Sequence, residues 1–143
     1  TMNTTTQLTQ VFNDNFVAYF RSHVAHVNTV GRNFSSDHAL LGEVYEDLQD
    51  QIDTIAELLR TLGEEMPSSI EDVISGSSFD SDTFGDAYRL LEIVRGTLDA
   101  LKMEYESLME VSEQEGHKEI ANYAQDRILA IAKFIWKLDS TLA

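Results

Sequence analysis

Apolar residues recur at steps of three and four through four long segments of this chain, and no segment alternates with the period of two that a strand requires. The first stripe is Leu8, Phe12, Phe16, Tyr19, Phe20, His23, Val27 and Val30, and Gly31 stops it. The second starts near Ser36, the expected N-cap, and runs through Leu41, Val44, Leu48, Ile52, Ile55, Leu59 and Leu62 to Gly63. The third holds Phe84, Ala87, Leu91, Val94, Leu98, Leu101, Tyr105 and Leu108. The fourth begins near residue 117 and holds Ile120, Ala124, Ile128, Ile131, Ile135 and Leu138. A single proline among 143 residues leaves these segments unbroken. Gly96 sits inside the third, at a cost of about 1 kcal/mol relative to alanine, either to admit a close helix contact or merely tolerated. Each apolar stripe must be covered by another helix, so the chain reads as all-α, a four-helix bundle.

The connections order the bundle. The break between the first and second helices is short, which makes them antiparallel neighbours. Residues 64–81, with the lone proline Pro67, are enough to cross the length of the bundle. Ser68 with Glu71 has capping-box spacing, and a short helix is expected over 69–75. One domain over 1–143 follows, with residues 1–7 expected as a flexible tail.

Charge and residue usage exclude several functions. Ten basic residues face 25 acidic ones, a net charge of −15 that repels phosphate and attracts cations. The first 20 residues hold no Lys or Arg, so direct DNA binding through a basic arm is not expected. Without cysteine there is no thiolate metal site, disulfide or thiol catalysis. No apolar run approaches the length of a membrane span and no signal-like segment is seen, so a cytoplasmic location is expected. There is no phosphate loop, nucleophile elbow or zinc-finger spacing. Nor is there a Glu-x-x-His pair, which argues against a di-iron centre inside the bundle core.

His26, Asp53 and Glu57 remain. Asp53 and Glu57 lie four apart, on one helix face and one turn from each other. Imidazole nitrogen with carboxylate oxygen suits iron, zinc or manganese. Taken singly, acids at that spacing are often a solvated face, and a histidine near a helix end is often only packed. Three such ligands leave part of a coordination sphere open to water, peroxide or another chain.

The pattern around them is more specific. His26, Gly31-x-Asn33-Phe34, His38, Tyr45-Glu46-Asp47-Leu48-Gln49-Asp50-Gln51-x-Asp53-x-Ile55-Ala56-Glu57 and Gly63 closely resemble the signature of the Dps family of mini-ferritins. Pro67-Ser68-Ser69-Ile70-Glu71 and Phe134-Ile135-Trp136 fit the same family. The resemblance implies a ferritin-like bundle with a short extra helix in the crossover, assembled from two-fold dimers into a twelve-subunit shell. It implies ferroxidase sites between subunits, with His26 from one chain and Asp53 and Glu57 from its partner. There Fe(II) is oxidised by hydrogen peroxide and the ferric product is stored in the hollow, protecting against oxidative damage. His38 matches a secondary iron ligand, and Glu119 and Asp126 fall where three-fold pores are lined. Three departures stand out: Val27 replaces the tryptophan that usually follows the motif histidine, Gly42 replaces an acid near the second iron, and Asn122 replaces a pore acid. Val27 and Gly42 motivate the alternative of a shell that binds metal with weak or no ferroxidase activity. A DNA-coating nucleoid protein is the remaining alternative, disfavoured by charge. His23 is expected in the core or an interface and Trp136 in the core, while His117 has no assigned role.

Overall fold

A computed structural model describes residues 3–143. Its elements are α1 (Thr4–Asn28), α2 (Phe34–Thr61), α3 (Ile70–Gly76), α4 (Ala87–Gln114) and α5 (Lys118–Leu142), with no strand among the described residues. The long helices have 25 to 28 residues, about 40 Å each at 1.5 Å per residue. Side-chain bonds fix how they pair. Asn15 Nδ2 donates to the Leu48 carbonyl, and Arg21 to Thr97 Oγ1. Arg127 pairs with Asp47, Tyr123 with Gln51, and Arg95 with Asp139. In each pair of helices the numbers run in opposite senses, so α1 is antiparallel to α2 and α4, and α5 to α2 and α4. The core between them is apolar: Leu8, Phe12, Leu41, Leu48, Ile55, Leu59, Leu98, Leu101, Leu108, Ile120 and Ile131 are all sealed from solvent.

Helix ends follow side-chain chemistry, and several differ from the sequence expectations. Asn3 accepts a hydrogen bond from the Thr6 amide, so α1 starts at Thr4. The tail expected over 1–7 is therefore corrected for residues 4–7, which form the first turn. Thr4 and Gln7 are buried, and Glu115 at the end of α4 accepts from both the amide and the hydroxyl of Thr4. Residues 1 and 2 lie outside the described residues. The second helix begins at Phe34, ahead of Ser36, because the Asn33 carbonyl already accepts from the Asp37 amide. Ser69, rather than Ser68, caps α3. Asp86 caps α4, leaving Phe84 before the helix and exposed. Nothing approaches a Cβ built on Gly96, so that glycine is tolerated rather than packed against. Trp136 is also corrected: it is 66% exposed. Five residues beyond the buried Ile131, it points about 140° away from the inner face of α5.

The crossover runs up the length of α1, held by one carboxylate. Asp14 is fully buried and accepts from Gln10 Nε2 (2.9 Å), Ser77 Oγ (2.6 Å), the Ser78 amide (2.7 Å) and Ser78 Oγ (2.9 Å). Burial opposes its ionisation, but hydrogen bonds, that with Glu104 foremost, hold its pKa below the ordinary value. Its neighbour Glu104 is pushed up to about 9, chiefly by burial and then by Asp14. Glu104 therefore keeps its proton in the fold at neutral pH and loses it on unfolding. Its contribution to stability is complete below its ordinary pKa of 4.5 and is lost as pH rises through about 9. Glu104→Gln should flatten that decline. At pH 8 the variant is expected to be more stable by on the order of 2 kcal/mol, a figure discounted for partial exposure, with no gain at pH 4. Thermal melts at the two pH values check it.

Candidate metal centre

His26 lies in the last turn of α1 and His38 in the second turn of α2, facing each other across the short connection. Each imidazole is tied to the other residue's backbone: Nδ1 of His26 lies 2.7 Å from the His38 carbonyl, and Nδ1 of His38 lies 2.8 Å from the His26 carbonyl. A carbonyl oxygen only accepts, so both rings carry their proton on Nδ1. That leaves both Nε2 lone pairs free, the arrangement in which a backbone oxygen orients a metal-binding histidine. The rings stack with centroids 3.8 Å apart and planes 17° apart, and Phe34 covers the far side of His38 at 4.9 Å.

Gly42 leaves room for this packing. A Cβ at that position would come within 3.0 Å of His26 Cε1 and 3.2 Å of its Nδ1. The imidazole lies where the side chain of a larger residue at 42 would begin.

Asp53 and Glu57 are both exposed, one turn apart on the outer face of α2. Neither takes part in an ion pair among the described residues. Asp53 is eleven residues beyond Gly42, about 16 Å along the helix, so a single chain does not bring the carboxylates to His26. Accordingly, no cluster of three or more potential metal ligands occurs among the described residues of the one chain. Glu119 and Asp126 are exposed on α5, about two turns apart, and Glu119 lies 3.8 Å from His117 Nδ1.

Among the described residues the bundle interior holds an ion pair and no group of three potential metal ligands. Where α2 and α5 face each other, Arg127 makes a two-pronged bond to Asp47 at 3.0 and 2.6 Å, its guanidinium 5.8 Å from the centre of the Tyr105 ring. The Asp47 carboxylate is thereby engaged by a fixed positive charge. Sequence reasoning missed this pair, although Arg127 stands three residues from Ala124 and four from Ile131 on the buried stripe, a register where a charge signals a buried partner. It also missed the ring column of His23 and Tyr45, which stack 4.2 Å apart with planes 1° apart, next to His26.

Comparison with known proteins gives a consistent result. A family model described as ferritin-like domain matches residues 5–143. A DNA protection during starvation protein from Helicobacter pylori is 28% identical over 133 residues, covering 91% of this chain and 92% of its own. A Dps variant from Listeria innocua superposes with a TM-score of 0.95 at 23% identity, covering 99% of this chain and 94% of that one. Dps from Vibrio cholerae O1, described as a member of a broad superfamily of ferritin-like diiron-carboxylate proteins, gives 0.93 at 23% identity, covering 98% and 89%. At these identities the superpositions establish the all-α fold with its crossover. No helix of the described residues is long and apolar enough to cross a membrane.

Proposed function

Since this chain belongs to the ferritin-like domain family, we propose that it is an iron-sequestering mini-ferritin that oxidises Fe(II), with hydrogen peroxide as the oxidant, between subunits of a hollow shell. The observation that carries this reading is the division of the ligands. Two imidazoles are locked with Nε2 free at one end of the α1–α2 hairpin, and two unpaired carboxylates stand about 16 Å away. Neither half is a metal site alone, and a two-fold related copy is the simplest way to join them, because a two-fold axis makes two equal sites at once. His26 would bind the ferrous substrate through Nε2, Asp53 and Glu57 of the second copy would bind and bridge, and His38 would assist a second ion. Anionic oxygen ligands favour Fe(III) over Fe(II), which is the direction of the oxidation. Glu119 and Asp126 are proposed as acids on the route of iron entry. Apolar residues left open beside His26 and along the crossover, among them Phe20, Val27, Val30, Ile70 and Ile74, support burial against other copies. A dodecamer built from such dimers and a cytoplasmic location complete the proposal. A net charge of −15 gives the DNA backbone no docking surface, so direct DNA coating is not part of it.

The first measurement is ferric absorbance after peroxide is injected into anaerobic protein mixed with Fe(II). Wild type is expected to form soluble ferric product rapidly, and His26→Ala/Asp53→Ala at least about tenfold more slowly while remaining folded. Equal fast rates in the two proteins overturn the site. Gly42 favours a second reading, a shell that holds metal without speeding its oxidation; equal slow rates alongside anaerobic Fe(II) binding lost only in the variant would establish that reading instead.

A further inference from the structure

Arg21 is a cation held in place without a counter-ion. Its guanidinium is half-buried where α1, α4 and the crossover meet. It donates from Nε to Thr83 Oγ1 (3.3 Å), from Nη1 to Thr97 Oγ1 (3.2 Å) and from Nη2 to the Asp82 carbonyl (3.1 Å). Both hydroxyls are buried and aimed by the protons they give away. Thr83 donates to the Ser81 carbonyl and Thr97 to the Ile93 carbonyl, so each turns a lone pair toward the arginine. All three acceptors are neutral, and Arg21 takes part in no ion pair among the described residues. The acids nearby are engaged elsewhere: Asp80 accepts from the Asp82 amide, Asp86 from the Arg89 amide, and Glu92 lies 4.0 Å from Arg89 Nη1. Pinning the crossover does not call for a charge, since neutral donors would serve three neutral acceptors. Yet a chain with 25 acidic residues against ten basic ones leaves this partly desolvated cation unpaired, a placement that costs free energy until an anion completes it.

Arg21 opens onto a groove of about 270 Å³, room for on the order of nine water molecules at about 30 Å³ each. Arg89 lines the same groove, Phe79, Ile93 and Ala100 form apolar walls, and nothing lies within 4 Å of a Cβ built on Gly96, so that part of the groove is bare. The three bonds of Arg21 use three of the five N–H groups of a guanidinium, which leaves one on each terminal nitrogen for a ligand. Burial holds the Arg21 pKa below its ordinary value; Asp80 and Asp82 oppose that and Arg89 adds to it, so the second guanidinium is felt at the first. We propose that this groove is a binding site for a phosphate group, held between Arg21 and Arg89, with room for a small organic substituent along Phe79, Ile93 and Ala100. A tetrahedral group suits two guanidinium groups better than a planar carboxylate does. Two of its oxygens can meet the open donors of Arg21 while a third turns to Arg89. The net charge of −15 repels phosphate at long range, but salt screens that field over about 8 Å, so the groups within the groove decide. One groove is not a run of cations along a surface, so the site takes a small molecule and not a DNA backbone.

The site needs no iron, so its test is independent of the ferroxidase reading. Iron-free assembled protein is dialysed to equilibrium against phenyl phosphate, inorganic phosphate or benzoate in a chloride buffer, and bound ligand is measured. Phenyl phosphate is expected to bind at least about tenfold more tightly than benzoate. Gly96→Leu fills the groove without removing either arginine and should weaken phenyl phosphate binding at least about tenfold, as should Arg21→Gln. Arg89 is exposed, and Arg89→Gln should weaken binding about threefold. Because Arg21→Gln also loosens the crossover, the Gly96→Leu result carries the decision on location. Inorganic phosphate bound as tightly as the ester supports the site and assigns it to free phosphate; weaker binding of inorganic phosphate supports it with an ester as the ligand. The site is overturned if neither phosphate binds, if benzoate binds as tightly as phenyl phosphate, or if Gly96→Leu binds phenyl phosphate as wild type does.

Discussion

Subunits carrying His26→Ala and subunits carrying Asp53→Ala/Glu57→Ala, each inactive in a uniform assembly, are expected to regain activity when assembled together. The physical reason is that the two candidate ligand groups lie about 16 Å apart on one chain, so the proposed site draws them from different copies. In a random mixture half the dimers are mixed. Each mixed dimer has one site with its full ligand set and one with none, so about one quarter of the wild-type rate should return. Co-expression with different affinity tags, followed by the peroxide assay, measures it. If the mixed assembly stays as inactive as its parents, the site does not lie between copies and the proposed division of ligands is wrong.

The second large effect concerns the interior. Arg127 is 5% exposed and Asp47 25%, and the pair joins α2 to α5 through two short bonds. Arg127→Met should destabilise the protein by about 3 kcal/mol, because it strands a carboxylate that the fold has largely removed from water. Asp47→Leu added to that variant is expected to recover most of the loss. The guanidinium Nε has no hydrogen-bond partner, so the native network is itself imperfectly satisfied and an apolar filling competes well with it. Denaturant unfolding at a fixed subunit concentration gives both numbers. A double variant no more stable than Arg127→Met would mean that the arginine contributes packing rather than charge pairing.

The stripes at steps of three and four made the four long helices readable, because that period follows from helix geometry alone. Their ends were less readable. Thr4 is polar and early, and its reason for joining the bundle is a bond to Glu115, 111 residues away. Ser36 looks like a cap, but the chain enters the helix three residues sooner with a backbone carbonyl. Trp136 illustrates a different limit: its composition says core, while its angle around α5 says surface. In the candidate centre, the spacing of Asp53 and Glu57 revealed their shared face. The reciprocal lock between His26 and His38 could not be seen, since it uses backbone carbonyls that every residue has. Gly42 read as the loss of an acid, and only the nearness of the imidazole shows what its small size admits.

The Asp14 staple has a bearing on how the chain chooses its shape. The α1–α2 and α4–α5 hairpins are each local, with short connections, and each can form before the other is in place. Leucines, isoleucines and valines recur on the inner stripes of all four helices and discriminate little by themselves between ways of docking two hairpins. What separates the alternatives is the path taken between them. By gripping Ser77 and Ser78 from the middle of α1, with Arg21 holding Thr83 and the Asp82 carbonyl further along, the first helix draws the crossover up its own flank and delivers α4 beside itself. A polar grip spanning more than sixty residues of chain thus acts as a guide rail that favours the observed docking.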